Sequence, residues 1–199
     1  MRALEKKGGT ASDSTIRCGS AAVSSSILAA PRALSSSTPP RPSFPCAPLL
    51  VAPLGHDVLV PDGTALPQGL RRPNFVVLGT IEPRKNHLLL LNLWREMPRT
   101  LTGSIVPDLV VVGRRGWECE QVVNMLKRCK AVRRHLHEIG TASGGQVATL
   151  LQNTQALLMP SLAEGIGIPV KEALSLGVPV ISSPLPAIIE HAGDIADYI

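Results

Sequence analysis

Two carboxylates, Glu164 and Glu172, lie eight positions apart around a glycine-rich turn. Gly165 and Gly167 permit a tight turn that exposes backbone N–H groups, and Ile166 lies between them. A carboxylate in such a turn can accept hydrogen bonds from sugar hydroxyls, and one in the following helix can accept them from a ribose. Both glutamates have apolar neighbours, where a carboxylate without a function is unexpected.

Two adjacent cations, Arg84 and Lys85, follow the first apolar run, in a loop that begins with Gly79 and Thr80. They precede a predicted helix, whose first N–H groups have no partner within the helix. A diphosphate would find counter-charges in the cations and donors in the helix N-terminus. The alternative is a helix start with solvated charges, and both interpretations fit this segment taken alone.

Glycines also follow the next two apolar runs, in the segments Gly113–Trp117 and Gly140-Thr141. Ligands of an open parallel sheet bind beyond the carboxyl ends of its strands, so we expect these segments to face the same ligand. The chain lacks the Gly-x-Gly-x-x-Gly pattern of dinucleotide-binding enzymes. An epimerase or a nicotinamide-dependent dehydrogenase is therefore disfavoured.

Apolar runs alternate with amphipathic segments after Arg72, which predicts an α/β fold with a Rossmann-like parallel sheet and helices on both faces. The predicted strands are Asn74–Gly79, Leu109–Gly113, Leu136–Gly140, Ala156–Pro160 and Pro179–Ser182. The first two predicted helices are Asn86–Met97, ended by Pro98, and Glu120–Lys130. A third opens at the capping box Ser143-Gly-Gly-Gln146, and the fourth has Pro169 at its first position and Gly177 beyond its end.

The chain upstream of this pattern has a different composition. Residues 1–53 are rich in Ser, Ala and Pro, with seven prolines between Pro31 and Pro53. They show no sustained helical or strand period, so we expect an irregular or disordered segment without a core of its own. Residues 54–72 are predicted to be a linker, and residues 73–199 the folded domain.

The formal net charge of +5 is concentrated in the N-terminal part: residues 1–72 hold 8 Lys and Arg against 4 Asp and Glu, and residues 73–199 hold 12 against 11. The nearly neutral folded part has no basic stripe with interleaved aromatics, so we expect no nucleic-acid partner. The four cysteines are far apart and predict neither a zinc site nor a disulfide framework. Without a signal peptide or an apolar run of membrane-spanning length, we expect a cytoplasmic protein.

The sequences LGTIEPRKNH at 78–87 and PSLAEGIGIPVKEALSLGVPVISS at 160–183 resemble the C-terminal, donor-binding domain of family 4 retaining glycosyltransferases, which is one half of a GT-B enzyme. The signature of that family is a pair of glutamates separated by seven residues, the spacing of Glu164 and Glu172. The segment VAPLGHD at 51–57 is similar to the one that joins the two domains of the family. The resemblance covers 51–199, roughly three quarters of the chain.

The resemblance implies a role for each matching residue. Glu164 would hold hydroxyls of the donor sugar, and Glu172 the ribose of its nucleotide. The turn Gly165–Gly167 would supply N–H groups near the diphosphate, and Arg84 with Lys85 would neutralise that diphosphate as it leaves. We therefore expect Arg84, Lys85 and Glu164 to serve catalysis.

This chain also departs from the family pattern. Ile166 replaces the commoner Phe, and Thr80 stands where many relatives have an Arg, so one phosphate ligand is absent or replaced by Arg84. The nucleotide is expected to contact Gly79, Thr80, Gly113, Gly140 and Thr141 as well. The chain has no Asp-x-Asp motif of the kind that would bind a divalent ion. We therefore expect no metal and no cofactor, and the donor substrate is expected to be a nucleoside-diphosphate sugar.

The resemblance implies transfer of a hexose, with retained configuration, to a saccharide or lipid-linked acceptor. The partners would then be this donor and this acceptor, with peripheral association at the inner face of a membrane. The acceptor domain of the family should precede VAPLGHD, and further helices should follow residue 199. We therefore expect this chain alone to bind a donor without turnover, and a catalytically inactive nucleotide-binding remnant remains the alternative.

Overall fold

The computed structural model describes residue 55 and residues 57–101 and 105–199. These residues belong to one compact unit, Leu54–Ile199. The irregular segment predicted for residues 1–53 lies outside the described residues.

The centre of the unit is a six-stranded sheet in which every pairing is parallel, in the order β3-β2-β1-β4-β5-β6. This is the strand order of a Rossmann fold, and it confirms the predicted fold class. The order reverses between β1 and β4, which are neighbours in the sheet. The strands are β1 Asn74–Leu78, β2 Asp108–Val112, β3 Leu136–Ile139, β4 Ala156–Met159, β5 Val180–Ser182 and β6 Asp197–Tyr198.

In the described part of the chain, six α-helices cover the two faces of the sheet. They are α1 His87–Thr100, α2 Glu120–Arg128, α3 Lys130–Arg133, α4 Gly144–Gln152, α5 Ile168–Ser175 and α6 Pro186–Ala192. Side chains of α1, α2 and α3 pack on one face around Val77 and Val111, and those of α4, α5 and α6 on the other around Val76 and Val110. No helix in the described part of the chain is long and apolar enough to cross a membrane.

Helix α1 runs past the proline that was predicted to end it. Pro98 lies inside the helix, which continues to Thr100. The expected end at Met97 was wrong: Pro98 removes only the hydrogen bond that its own N–H would have made, and the chain keeps its helical course for two more residues. That turn is closed by a hydrogen bond from the Leu101 N–H to the Met97 carbonyl at 2.9 Å.

The helix predicted over Glu120–Lys130 is divided in two. Cys129 has an extended conformation with ψ of 103°, which ends α2 at Arg128 and starts α3 at Lys130. The break redirects the chain so that Val132 is fully buried. An amphipathic pattern alone does not reveal it, because both short helices continue the same apolar face.

The predicted helix ends are otherwise close to the observed ones. The Ser143 hydroxyl accepts from the Gln146 N–H at 3.1 Å, and Gln146 Oε1 accepts from the Ser143 N–H at 2.9 Å, so the capping box is confirmed. Pro169 is the second residue of α5 rather than the first. Gly177, beyond the end of α5, has a φ of 71°, which a glycine adopts without strain.

The amino end of the sheet is fixed by a buried carboxylate. Arg71 donates to Asp108 from its side chain at 2.6 Å and from its backbone N–H at 2.9 Å, and His137 Nε2 lies 3.3 Å from the same carboxylate. Burial alone would raise the pKa of Asp108, but the hydrogen bonds from Arg71 and His137 outweigh it and hold that pKa below its usual value. This cluster attaches the predicted linker to the domain, at the end of the sheet opposite the glycine-rich loops.

The carboxyl ends of β1 and β2 approach each other more closely than any side chain would allow. A Cβ at Gly113 would lie 1.9 Å from the Gly79 carbonyl oxygen, and Gly113 has a φ of 158°. Gly113 is therefore required by backbone contact, which brings the loop after β2 against the loop after β1.

Gly113→Ala should reduce the free energy of unfolding by more than about 2 kcal/mol, because one of the two loops must move to accommodate the methyl group. The matched control is Gly140→Ala, at a position where a Cβ meets nothing within 4 Å. That change should alter stability by less than about 0.5 kcal/mol. Urea denaturation of both variants measures the difference, and equal midpoints would contradict the close approach.

Candidate functional site

The loops that follow β1 and β4 are joined at the carboxyl edge of the sheet, where the strand order reverses. A 3-10 turn over Pro83–Lys85 precedes α1, and Asn86 connects them with a φ of 55°, in the left-handed region that asparagine tolerates. The Asn86 side chain donates to the Pro160 carbonyl at 3.1 Å. The Leu162 N–H donates to the Arg84 carbonyl at 2.7 Å, so the two loops form one unit.

Lys85 and Glu164 form an ion pair between these loops. Lys85 Nζ lies 2.6 Å from Glu164 Oε1, and the two side chains are only 9% and 5% exposed. The Ser161 hydroxyl donates to the same carboxylate oxygen at 2.7 Å. Burial of two charges is costly unless the geometry is good and further hydrogen bonds are made, and this pair has both.

Arg84 connects Glu164 to a second carboxylate. Its guanidinium lies 3.2 Å from Glu164 Oε2 and 2.6 Å from Glu82 Oε1. The other oxygen of Glu82 accepts from the indole N–H of Trp117 at 3.0 Å. A chain of polar contacts therefore runs from the loop after β4, through the loop after β1, to the loop after β2.

The charges of this cluster cancel. Arg84 and Lys85 contribute two positive charges, and Glu82 and Glu164 contribute two negative ones. His87, directly beyond the cations, adds no charge at neutral pH, because burial and then the charge of Lys85 lower its pKa to about 4. The predicted phosphate cations are thus already engaged with carboxylates of the chain itself.

The glycine turn between Glu164 and α5 presents unpaired backbone donors. Gly167 has a φ of 75° and is the residue before the helix. Among the described residues, the N–H groups of Gly165, Ile166 and Gly167 donate to no carbonyl and no side chain. Successive N–H groups of this kind form an anion-binding concavity, and the positive end of the α5 dipole adds to it.

The remaining predicted residues spread along the same edge. Gly79 leaves room for the Lys85 side chain, since a Cβ there would lie 3.1 Å from Lys85 Cε. Thr80 is exposed and packs against Gly116. Gly140 and Thr141 follow β3, two strands away from β1.

Glu172 lies on α5, one turn beyond the start of that helix, and is half-buried. The structure therefore brings Arg84, Lys85 and Glu164 into direct contact. It gives Glu172 a place on the neighbouring helix.

Four polar contributors to the site were not selected from the sequence: Glu82, Asn86, Trp117 and Ser161. Glu82 and Asn86 flank the selected cations, and Ser161 precedes Glu164 by three positions. Their short distance in sequence from Arg84, Lys85 and Glu164 could have indicated that they belong to the site. Trp117 ends a segment that was expected to face the ligand, but its bond to Glu82 could not be predicted, because only the folded sheet brings the loop after β2 beside Glu82.

Residues 66–194 match the family model of the glycosyl transferases group 1. The chain belongs to this family. The matched residues include the whole edge from Gly79 to α5, so this group 1 domain contains the site described above.

Curated relatives of this group 1 chain include two Escherichia coli proteins. The chain is 32% identical over 130 residues to the serotype-specific mannosyltransferase WbdA, covering 63% of this chain and 15% of that protein. It is also 32% identical over 123 residues to the O-antigen chain mannosyltransferase B, covering 60% of this chain and 32% of that protein. The chain thus spans less than a third of the length of either relative.

Solved structures show the same fold. The pneumococcal O-GlcNAc transferase GtfA, determined in complex with UDP and GlcNAc, superposes with a TM-score of 0.52 at 18% identity, covering 67% of this chain and 24% of that one. The sheet and helices of the group 1 domain therefore correspond to one half of a GT-B glycosyltransferase.

The Lys85–Glu164 pair should be strongly coupled, because both side chains are nearly inaccessible to water. A double-mutant cycle with Lys85→Ala and Glu164→Ala should give a coupling energy of about 1.5 kcal/mol or more in unfolding experiments. The control is the Arg99–Glu96 pair of α1, whose side chains are 76% and 45% exposed. Its coupling should be about 0.5 kcal/mol or less. Equal coupling in the two cycles would show that the buried pair does not join the loops.

Proposed function

We propose that this domain binds a nucleoside-diphosphate hexose and forms the donor side of a glycosyltransferase. The observation that carries the proposal is the Glu164 carboxylate, which is held by Lys85, Arg84 and Ser161 beside the unpaired N–H groups of the glycine turn. A sugar hydroxyl and a phosphate would each find a prepared partner there. The pair of glutamates and the family membership support the same interpretation.

Glu164 retains capacity for one more hydrogen bond. A carboxylate has about four lone-pair sites. Lys85 and Ser161 donate to Oε1, and Arg84 donates to Oε2. The remaining site on Oε2 accepts a hydroxyl of the hexose in this proposal, and the three donors fix the orientation of the carboxylate before the sugar arrives.

The diphosphate would lie against the turn Gly165–Gly167. Its N–H groups and the helix dipole are fixed by the fold, so they stabilise the charge that develops on the departing diphosphate without reorganising. Lys85 supports this from the opposite loop and keeps Glu164 in place. Together these groups supply leaving-group stabilisation from the protein itself.

The nucleoside would extend along the edge towards β3. Thr141 and Ala142 line a cavity of about 220 Å³, together with Gln146 and Thr149 of α4 and Leu66. Strands of a sheet are about 4.8 Å apart, so the exit of β3 lies about 10 Å from that of β1, across β2. We assign the hexose to Glu164, the diphosphate to the glycine turn and the adjoining loops after β1 and β2, and the base or ribose to the β3 side. Glu172 is the second candidate for the ribose.

Mannose is the proposed hexose, because the two curated relatives are named mannosyltransferases. A saccharide or lipid-linked acceptor, retention of configuration, and a cytoplasmic site at the inner face of a membrane complete the proposal. The acceptor would approach Glu164 from the open side of the edge.

Glu164→Gln should weaken binding of GDP-mannose by roughly tenfold relative to GDP, because one charged acceptor for a sugar hydroxyl is lost. Binding of GDP itself should be unchanged or tighter, since Lys85 and Arg84 are released from a carboxylate. Calorimetric titration of the full chain with each ligand, repeated with UDP and UDP-glucose, measures the ratio. Glu190→Gln, at an exposed position of α6, is the control. Equal losses for nucleotide and nucleotide sugar would remove the sugar-binding role of Glu164.

A further inference from the structure

We propose that Arg114 is a further cation for the diphosphate of the donor, because the motif residues Arg84 and Lys85 cannot neutralise it alone. This inference rests on the proposed function. It follows from the charge balance of the edge, which leaves an incoming diphosphate without a net positive partner in the loops after β1 and β4.

The loops after β1 and β4 have no net positive charge to neutralise a diphosphate. A diphosphate carries at least two negative charges, whereas the charges of the Glu82, Arg84, Lys85 and Glu164 side chains sum to zero. Engagement of Lys85 by a phosphate would weaken its contact with Glu164 at 2.6 Å and leave that buried carboxylate less well paired. A further cation at the same edge avoids this competition.

Arg114 is such a cation. Its side chain is exposed, and the guanidinium makes no ion pair or hydrogen bond with any described residue. The neighbouring Arg115 is already engaged, because its guanidinium donates to both oxygens of Glu138 at 2.9 and 3.0 Å. The two consecutive arginines therefore differ: one is paired within the protein and the other is available.

The backbone of Arg114 is held beside the loop after β1. Its carbonyl accepts from the Ile81 N–H at 2.8 Å, and the Gly116 N–H donates to the Ile81 carbonyl at 3.0 Å. The contact between Gly113 and Gly79 fixes the preceding residue. Arg114 thus follows the strand that lies between the proposed hexose position at β1 and the proposed nucleoside position at β3. The diphosphate must connect these two positions from the glycine turn, and a planar guanidinium can bind two phosphate oxygens at once.

Titration of the full chain with GDP and UDP tests this assignment. Arg114→Gln should weaken binding of whichever diphosphate the wild type binds by about tenfold or more, and Arg114→Lys should recover part of the loss. The loss should shrink at high salt, because the contact is at the surface and is screened. Arg128→Gln is the control of equal charge change: it is exposed at the C-terminal end of α2, and its removal should change affinity less than twofold.

The outcomes separate the two proposals. A wild-type chain that binds neither diphosphate would overturn the proposed function, and with it this inference. Binding by the wild type with unchanged affinity in Arg114→Gln would overturn the inference alone. Equal losses in Arg114→Gln and Arg128→Gln would also overturn it, since they would indicate a general effect of net charge. Unfolding midpoints of the variants show whether each chain is folded during the titration.

Discussion

The ion pair between Lys85 and Glu164 is the interaction on which the rest of the site depends. It joins the loops after β1 and β4, the two adjacent strands at which the strand order of the sheet reverses. Chain connections leave this point in opposite directions, so the loops diverge and a crevice opens between them. A buried pair across the crevice fixes its width, and the backbone bond from Leu162 to Arg84 and the side-chain bond from Asn86 to Pro160 reinforce it.

The same pair also limits the chemistry of the edge. The Glu164 carboxylate, fixed by three donors, is well placed to orient a sugar. However, it already pairs with Arg84 and Lys85, the two cations of the motif. The fold compensates with uncharged donors, since the N–H groups of the glycine turn carry no counter-ion. The close contact between Gly79 and Gly113 then holds Arg114 beside the loop after β1. Sugar orientation and phosphate stabilisation are thus assigned to different groups on adjacent strands.

Much of this fold could be predicted from the sequence, because buried parallel strands appear as short apolar runs bounded by glycine or proline. The strand candidates all correspond to strands, whereas β6 was missed, since Asp197 and Tyr198 make too short a segment for any pattern. The residues Arg84, Lys85 and Glu164 were selected by their types and spacing. The ion pairs between them could not be predicted, because contacts between residues far apart in sequence depend on the strand order. Likewise the bond between Trp117 and Glu82 depends on which loops become neighbours.

One ligand is proposed to lie along the carboxyl edge of the sheet, from the β4 loop across β1 and β2 to β3. Hydrogen–deuterium exchange of the full chain with and without saturating nucleoside diphosphate tests it most directly. Exchange should become slower in residues 79–86, 113–117, 140–143 and 163–168 together, and it should not change around His135 at the amino edge. Slower exchange at the amino edge, or in only one of the four loops, would contradict it.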